Sequence, residues 1–498
     1  MNSYTKMGKM KFICILRHFL LSVILLQATC VMQAQENQPD PSMWANPFPR
    51  TPDVAALEKF GDYPVGYHTG TVNVSVPIFQ FQLSNTLTLP VSIDYHTSGI
   101  KVEELPGSVG LGWALNAGGC ISREVRGICD EEPGLGFYSF IQSHRGYEFP
   151  QVITTSDNHT LIDSVNCQSF DSEPDIFHIN LLGKHYKCFL GNDGEFHSMP
   201  FSNLRISRTP LTNLRGIGTW EIIDEYGNRF IFGVYKDQNA CELTFDHGRL
   251  LTTSWKLMAV LSAEGNELAT FDYSFLEHTS PNIVHRIHKF YDPLLFEYLG
   301  DEDRLASHLG VFEQNDVRSF NIYNLDRIHL SSIGTITFHT NMSVPVDGSP
   351  LLERISFRGV SAARGYDYTF LYTGNRRKYL SSIIRHGTGG RSEKYRQFEY
   401  YAGFPDNPNS CSQDFWGYYN GAQNTNMFPV MLKSIHPQMS YGDRYPNIKA
   451  VAGNLKRIIY PTGGVILCLN TKITRYIPQL PLLNWQKRSY CSLQVTTA

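Results

Sequence analysis

The sequence lacks an excess of charge of one sign, a second long apolar run and any C-x-x-C pair. Of 498 residues, 43 are Lys or Arg and 46 are Asp or Glu, a formal net charge of −3. Nucleic-acid-binding chains carry a strongly basic domain or stripe, so nucleic acid is excluded as a partner. The one apolar run of note, Phe19-Leu20-Leu21-Ser22-Val23-Ile24-Leu25-Leu26, is well short of the ~20 residues a spanning helix needs. Without C-x-x-C, the usual zinc and thioredoxin-like signatures are missing, and no metal or cofactor is expected. Helical periodicity is scarce as well. Disorder over most of the chain is excluded, because 30 Phe and 27 Tyr supply ample surface to bury.

What is present begins with an address. Lys6, Lys9, Lys11 and Arg17 precede the apolar run, and Met32-Gln33-Ala34-Gln35 follows it as a cleavage zone. A positive start, a short apolar segment and a small residue before polar sequence describe a secretory signal peptide over 1–34. Lipid attachment at Cys30 stays open as an alternative. The expected location is the periplasm, the outer-membrane surface or the medium, with no transmembrane segment after cleavage. Removing four basic and no acidic residues takes the net charge from −3 to about −7, which also disfavours an anionic membrane surface. Eight of the ten cysteines remain. Cys120/Cys129 and Cys167/Cys188 are close enough in sequence to pair, and buried unpaired thiols on strands are the open alternative.

With 40 Gly and 26 Pro set among aromatics, the composition points to mainly β structure. Residues 35–60 read as a polar, Pro-rich lead-in. Val72, Val74 and Val76 then alternate with polar residues, and Leu87, Leu89, Val91 and Ile93 do the same. Period-two alternation marks half-buried strands, with Pro77 at an edge or an end. Gly191-Asn192-Asp193-Gly194, Tyr226-Gly227-Asn228 and Glu264-Gly265-Asn266 each separate two such runs. Gly and Asn accept positive φ, so each predicts a hairpin. The fold class is therefore successive antiparallel hairpins or meanders in sandwich- or shell-like layers, with little helix. The best helical candidate is an insertion over 294–312. Domain limits are drawn at 61–245, 246–400 and 401–465, with an irregular tail over 466–498.

A faint repeat runs through the second half. Leu325-Asp326-Arg327-Ile328, Leu352-Glu353-Arg354-Ile355, Leu380-Ser381-Ser382-Ile383 and Leu455-Lys456-Arg457-Ile458 share an L-x-x-I start. The last two lead into the Gly-rich turns Thr388-Gly389-Gly390 and Thr462-Gly463-Gly464. Such spacing suggests stacked strand-turn units.

Several segments together resemble a known family. They are Gly70-Thr71-Val72-Asn73-Val74-Ser75-Val76-Pro77-Ile78, the strand Leu89–Val102, Val109-Gly110-Leu111-Gly112-Trp113 with Ala114–Gly119, and Ile121-Ser122-Arg123. In this order they are similar to the N-terminal region of bacterial RHS/YD-repeat proteins, including the B component of insecticidal toxin complexes and virulence-plasmid B proteins. Asp414-Phe415-Trp416-Gly417-Tyr418-Tyr419-Asn420-Gly421 and Gly453–Gly464, with Tyr460 and Gly463, resemble the exported subgroup of Gram-negative gut bacteria. The resemblance implies part of a β-shell, with other RHS-type toxin components as partners. Tyr460-Pro461 stands where a YD repeat places Tyr-Asp, and no Asp or Glu follows Arg444. A truncated or frameshifted product is expected on that basis.

Read as chemistry, Gly110 and Gly112 permit a close turn and Trp113 supplies a buried anchor. Arg123 and Arg126 bracket Glu124 at a strand end, where a solvated edge is expected. Pro106-Gly107-Ser108-Val109-Gly110 lacks the first Gly of a hydrolase elbow. His285 and His288 share a face only on a helix, and Ile283, Val284 and Ile287 favour a strand. The Asn192-Asp193-Gly194-Glu195 turn lacks the ligand run of a calcium loop. Glu103-Glu104 and Asp130-Glu131-Glu132 read as solvated surface. No catalytic residue is assigned. The expected function is an exported, non-enzymatic β-structural protein. The alternative is a carbohydrate- or cell-surface-binding module, using Tyr400, Tyr401, Phe415, Trp416, Tyr418 and Tyr419 against cell-surface glycans. A secreted hydrolase comes last.

Overall fold

The β-branched and aromatic alternation becomes antiparallel sheet over most of the described residues. A computed structural model of the chain describes residue 53 and residues 74–143, 171–210, 217–246, 249–279, 283–289, 310–316, 319–341, 349–360, 365–387, 390–427 and 441–467. Residues 1–34, where a signal peptide is expected, and most of the expected lead-in lie outside the described residues. The chain divides into two units, Met1–Pro47 with Val125–Pro174, and Phe48–Glu124 with Asp175–Ala498.

In the smaller unit, helix α1 (Phe137–Ser143) stacks Phe137 on Phe140 with ring centres 5.9 Å apart. The Asp171 carboxylate accepts the N–H groups of Ile128 at 2.7 Å and Glu173 at 3.0 Å, and Arg126 pairs with Glu173. Asp130, expected at the surface, is instead buried.

In the larger unit, β1 (Val74–Gln82), β2 (Thr88–Tyr95) and β3 (Trp113–Ala117) form a three-stranded antiparallel sheet. Pro77 lies on its edge strand, and the extra residue Ile78 makes a bulge there. Phe79 and Phe81 pack this sheet on Phe357 and Tyr368, giving the sandwich-like layering.

A second sheet closes on itself. It opens with β4 (Gly119–Glu124), β5 (Ile176–Leu181), β6 (Lys184–Leu190) and β7 (Phe196–Ser198), followed by β8 (Arg205–Pro210), β9 (Gly218–Ile223), β10 (Arg229–Tyr235) and the short β11 (Gln238–Asn239). Then come β12 (Cys241–Asp246), β13 (Arg249–Leu261) and β14 (Glu267–Thr279). β15 (Ile283–Lys289) and β16 (Gly310–Asp316) pair separately. A meander completes the unit: β17 (Ser319–Leu330), β18 (Gly334–Asn341), β19 (Leu351–Gly359), β20 (Gly365–Thr373), β21 (Tyr379–His386), β22 (Ser392–Tyr400), β23 (Leu455–Ile459) and β24 (Val465–Leu467).

The three hairpins expected from Gly and Asn turns form, as β6–β7, β9–β10 and β13–β14. Other expectations are corrected. Residues 310–312, the end of the expected helix, are strand paired to β15, while 294–309 lie outside the described residues. His285 and His288, by contrast, lie on the strand expected for them, β15. Pairing of β22 with β23 and of β4 with β13 crosses the domain limits drawn from sequence. Val465–Leu467 is a paired strand, so the irregular tail does not start at 466. Cys120, Cys129, Cys188, Cys241 and Cys411 are buried thiols, so the Cys120/Cys129 disulfide is not made. Cys167 lies outside the described residues.

The L-x-x-I repeat has a structural cause. On a regular strand, residues i and i+3 face opposite sides. Here β17, β19, β21 and β23 each hold one extra residue just after the Leu: Asp326, Glu353, Ser381 and Lys456. One inserted residue restores the phase, so Leu and Ile share the core face. Leu352, Ile355, Leu380, Ile383, Leu455 and Ile458 are all buried. β13 has the same device at Met258, between Leu257 and Val260, a unit that the L-x-x-I pattern misses because Val replaces Ile. The carbonyl of the Leu is then capped from the return strand. The hydroxyls of Tyr273, Tyr372 and Tyr400 donate to the carbonyls of Leu257 (2.8 Å), Leu352 (2.6 Å) and Leu380 (2.7 Å). Thr340 occupies the corresponding place opposite Leu352.

Candidate binding surface

The chain between β22 and β23 carries the arrangement with the clearest outward purpose. Asp414 begins a turn with Gly417 at its fourth position, the places where Asp and Gly are favoured. Its backbone closes the turn, with Gly417 N–H donating to the Asp414 carbonyl at 3.2 Å and Asp414 N–H to the Tyr418 carbonyl at 2.8 Å. The buried Asp414 carboxylate accepts the N–H groups of Trp416 and Tyr418, both at 2.9 Å. Burial pushes this carboxyl above the usual range, and those N–H donors with the nearby Arg444 cation offset part of the shift. Gly417 has φ of +89°, a left-handed conformation that side chains resist.

Arg444 locks the turn from behind. Its Nη2 and Nε donate to the Asp414 carbonyl at 2.6 and 3.2 Å, and its guanidinium lies 5.4 Å from the Phe415 ring centre. The loop after β2 locks it from the side. Val102 N–H donates to the Gly417 carbonyl at 2.9 Å, and the Tyr418 hydroxyl donates to the Ser98 carbonyl at 3.1 Å. That loop is held in turn by the buried Arg377, which donates to the carbonyls of Val102, Glu104 and Asp406. With the backbone fixed this way, Phe415 and Trp416 project outward, 44% and 53% exposed, their rings at 83° and 6.5 Å between centres.

The other residues singled out in the sequence serve the scaffold. Gly110 has φ of +92°, and a Cβ there would meet the Lys378 carbonyl at 3.0 Å, so the loop seats directly on the start of β21. Gly112 faces the Tyr95 ring, where a Cβ would come within 2.6 Å. Trp113 is fully buried, and its indole N–H donates to the Tyr400 hydroxyl at 2.8 Å. Arg123 is a correction. It has no exposed surface, because β4 is flanked by β5 and β13 and is not an edge. It pairs with the buried Asp175 at 3.6 Å and stacks on Phe177 and Trp255. Tyr460 and Gly463 close the β23–β24 turn, with the Arg396 guanidinium 4.0 Å from the Tyr460 ring centre. Glu103 is exposed and Glu104 half-buried.

A partly open pocket of about 80 Å³ is lined by Asp53, Ser108, Asn116, Cys120, Lys256 and Tyr323, among others. That is room for a few waters rather than an organic ligand. Among the described residues, no group of three or more His, Cys, Asp or Glu is placed to hold a metal ion.

The role of Asp414 is not apparent from its motif, and Asp-x-x-Gly is the local signal that points to it. The roles of Arg377 and Arg444 gave no signal, because their partners are backbone carbonyls far away in the chain.

No family model matches the chain, and no curated protein matches it. Similar solved structures include a crystal structure of TcdB2-TccC3, 11% identical with a TM-score of 0.35, covering 71% of this chain. The present chain spans 16% of that chain's length. Another is the N-terminal domain of the effector protein SpvB from Salmonella typhimurium strain LT2, 11% identical with a TM-score of 0.30, covering 63% of this chain and 98% of that one.

Proposed function

We propose that this chain is an exported, non-enzymatic β-structural protein, a toxin-related shell or surface scaffold that presents the Asp414 turn. The observation that carries this reading is the series of bulged Leu-x-x-Ile strands, whose Leu and Ile residues bury in one continuous core at β19, β21 and β23, with Ile328 buried and Leu325 packed against it at β17. Repeated units of this kind build extended walls, since each unit buries its apolar face against its neighbours. The resemblance of residues 61–127 to RHS/YD-repeat proteins supports the toxin-related reading, and other RHS-type components are the partners it suggests. The basic, apolar, small-residue order of residues 1–34 supports export.

The test is fractionation of a Gram-negative host expressing the full chain with a C-terminal tag. The expected product is shortened by about 34 residues, in line with the length of a signal peptide, and lies in the periplasm, outer membrane or medium. Unprocessed chain confined to the cytoplasm would overturn export. Turnover of chromogenic glycosides that Glu103→Gln abolishes would replace this reading with a secreted hydrolase.

A further inference from the structure

We infer that the Asp414 turn is a stacking site for a neutral carbohydrate, a reading that rests on the presenting scaffold proposed above and gives its ligand class. Large aromatic side chains are normally buried, and leaving two adjacent ones exposed on one turn gives up apolar burial. Here the exposure is enforced rather than incidental. Asp414, Arg444 and the Val102 and Tyr418 hydrogen bonds fix the backbone on both sides of Phe415 and Trp416. A fixed platform loses little conformational freedom on binding, which is what weak, stacking-dominated recognition requires.

The ligand class follows from the shape and charge of the site. Two rings at 83° form a corner, offering one π-face and one edge. The C–H groups on one side of a pyranose carry partial positive charge and meet the negative face of an indole well. Two rings fall far short of the ~800 Å² per partner of a standard protein interface. The charges around the turn are of both signs, Arg444 against the Phe415 ring and Lys101 on the supporting loop set against Asp443 and Glu103, so neither an anionic nor a cationic ligand is favoured.

The experiment uses the full purified chain with cellohexaose, maltohexaose and chitohexaose as probes. Among the described tryptophans, Trp113, Trp220 and Trp255 are fully buried, so Trp416 is the one a soluble sugar reaches. The expected result is a saturable change in tryptophan emission with at least one probe and a matching calorimetric isotherm. Trp416→Ala weakens binding at least tenfold, Phe415→Ala weakens it less, and Phe201→Ala, at a loop residue 86% exposed, leaves it unchanged. Absence of saturable binding to all three sugars, or equal binding by wild type and Trp416→Ala, overturns the inference. Because Trp416 is at the surface, its variant folds, which far-ultraviolet circular dichroism checks. Export is measured separately, so loss of sugar binding with normal export removes this inference alone.

Discussion

At the scale of single residues, the most informative side chains are large or charged groups held by partners remote in sequence. Trp113 is the clearest. It fills the space between Tyr95 and Phe398, at 5.1 and 4.8 Å between ring centres, and ends in a hydrogen bond to Tyr400. Trp113→Ala removes that volume together with a buried hydrogen bond, and about 3–5 kcal/mol of stability is expected to be lost in denaturant unfolding. Tyr400→Phe keeps the volume and is expected to lose less. Asp171 supports a pH prediction. Burial raises its carboxyl to about 6, with the N–H donors of Glu173 and Ile128 opposing the shift. A carboxyl whose folded pKa is raised prefers to be protonated in the folded state. Its contribution is therefore intact at acid pH and is lost as pH rises from the ordinary carboxylate value through about 6. Thermal melts across pH 4 to 7 are expected to show this decline, and Asp171→Asn, which cannot ionise, is expected to flatten it. Equal slopes for the two proteins would remove the assignment.

At the scale of elements, turns and alternation were legible and the bulges were not. Gly191–Gly194, Gly227 and Gly265 announce hairpins because their backbone requirement is local. The L-x-x-I pattern was visible too, but its spacing is wrong for a plain strand. It makes sense only once Asp326, Glu353, Ser381 and Lys456 are seen as extra residues opposite an unbroken partner. Register of that kind depends on the neighbouring strand, which sequence does not reveal. Deleting Glu353 should test the device directly. Glu353 is exposed, so Glu353→Ala is expected to change stability by no more than about 0.5 kcal/mol. Deletion shifts Leu352 out of phase with Ile355 and is expected to lower the melting temperature far more. The tyrosine cap makes a second test. In Tyr372→Phe the Leu352 carbonyl loses its 2.6 Å donor, and about 1–3 kcal/mol is expected to go with it, read as a lower denaturant midpoint. An unfolding free energy unchanged within about 0.3 kcal/mol, well under that expected loss, would show that water caps the carbonyl equally well.

At the scale of the whole sheet, β13 is the strand on which the larger unit turns. It pairs with β12 and β4 along its first half and with β10 and β14 along its second. From Ser254 onward it is flanked on both edges through most of its length, yet it carries the buried Ser254 and Lys256 there. Sequence gave no sign that this lysine is internal, since a lone Lys in a strand is usually an outward residue. Its partner is Glu242 on β12, at 3.0 Å, and the Glu242 carboxylate also accepts from the Ser254 hydroxyl at 2.7 Å and the Tyr323 N–H at 3.4 Å. Burial alone would pull the Lys256 ammonium down. The attraction and hydrogen bond of Glu242, together with smaller contributions from Cys120 and Asp53, outweigh it in sum and hold the lysine above its usual range inside the sheet. Two opposed charges in such a place stabilise the fold mainly by needing each other. Lys256→Met leaves Glu242 buried without its cation, and a loss of about 3–5 kcal/mol is expected. Glu242→Gln combined with Lys256→Met removes both charges while the amide still accepts from Ser254, and its expected loss is smaller than that of Lys256→Met alone. Denaturant unfolding of the two single variants and the double variant closes the cycle. A double variant as unstable as the sum of the singles would mean that the two side chains act independently, and the sheet would then owe nothing to their pairing.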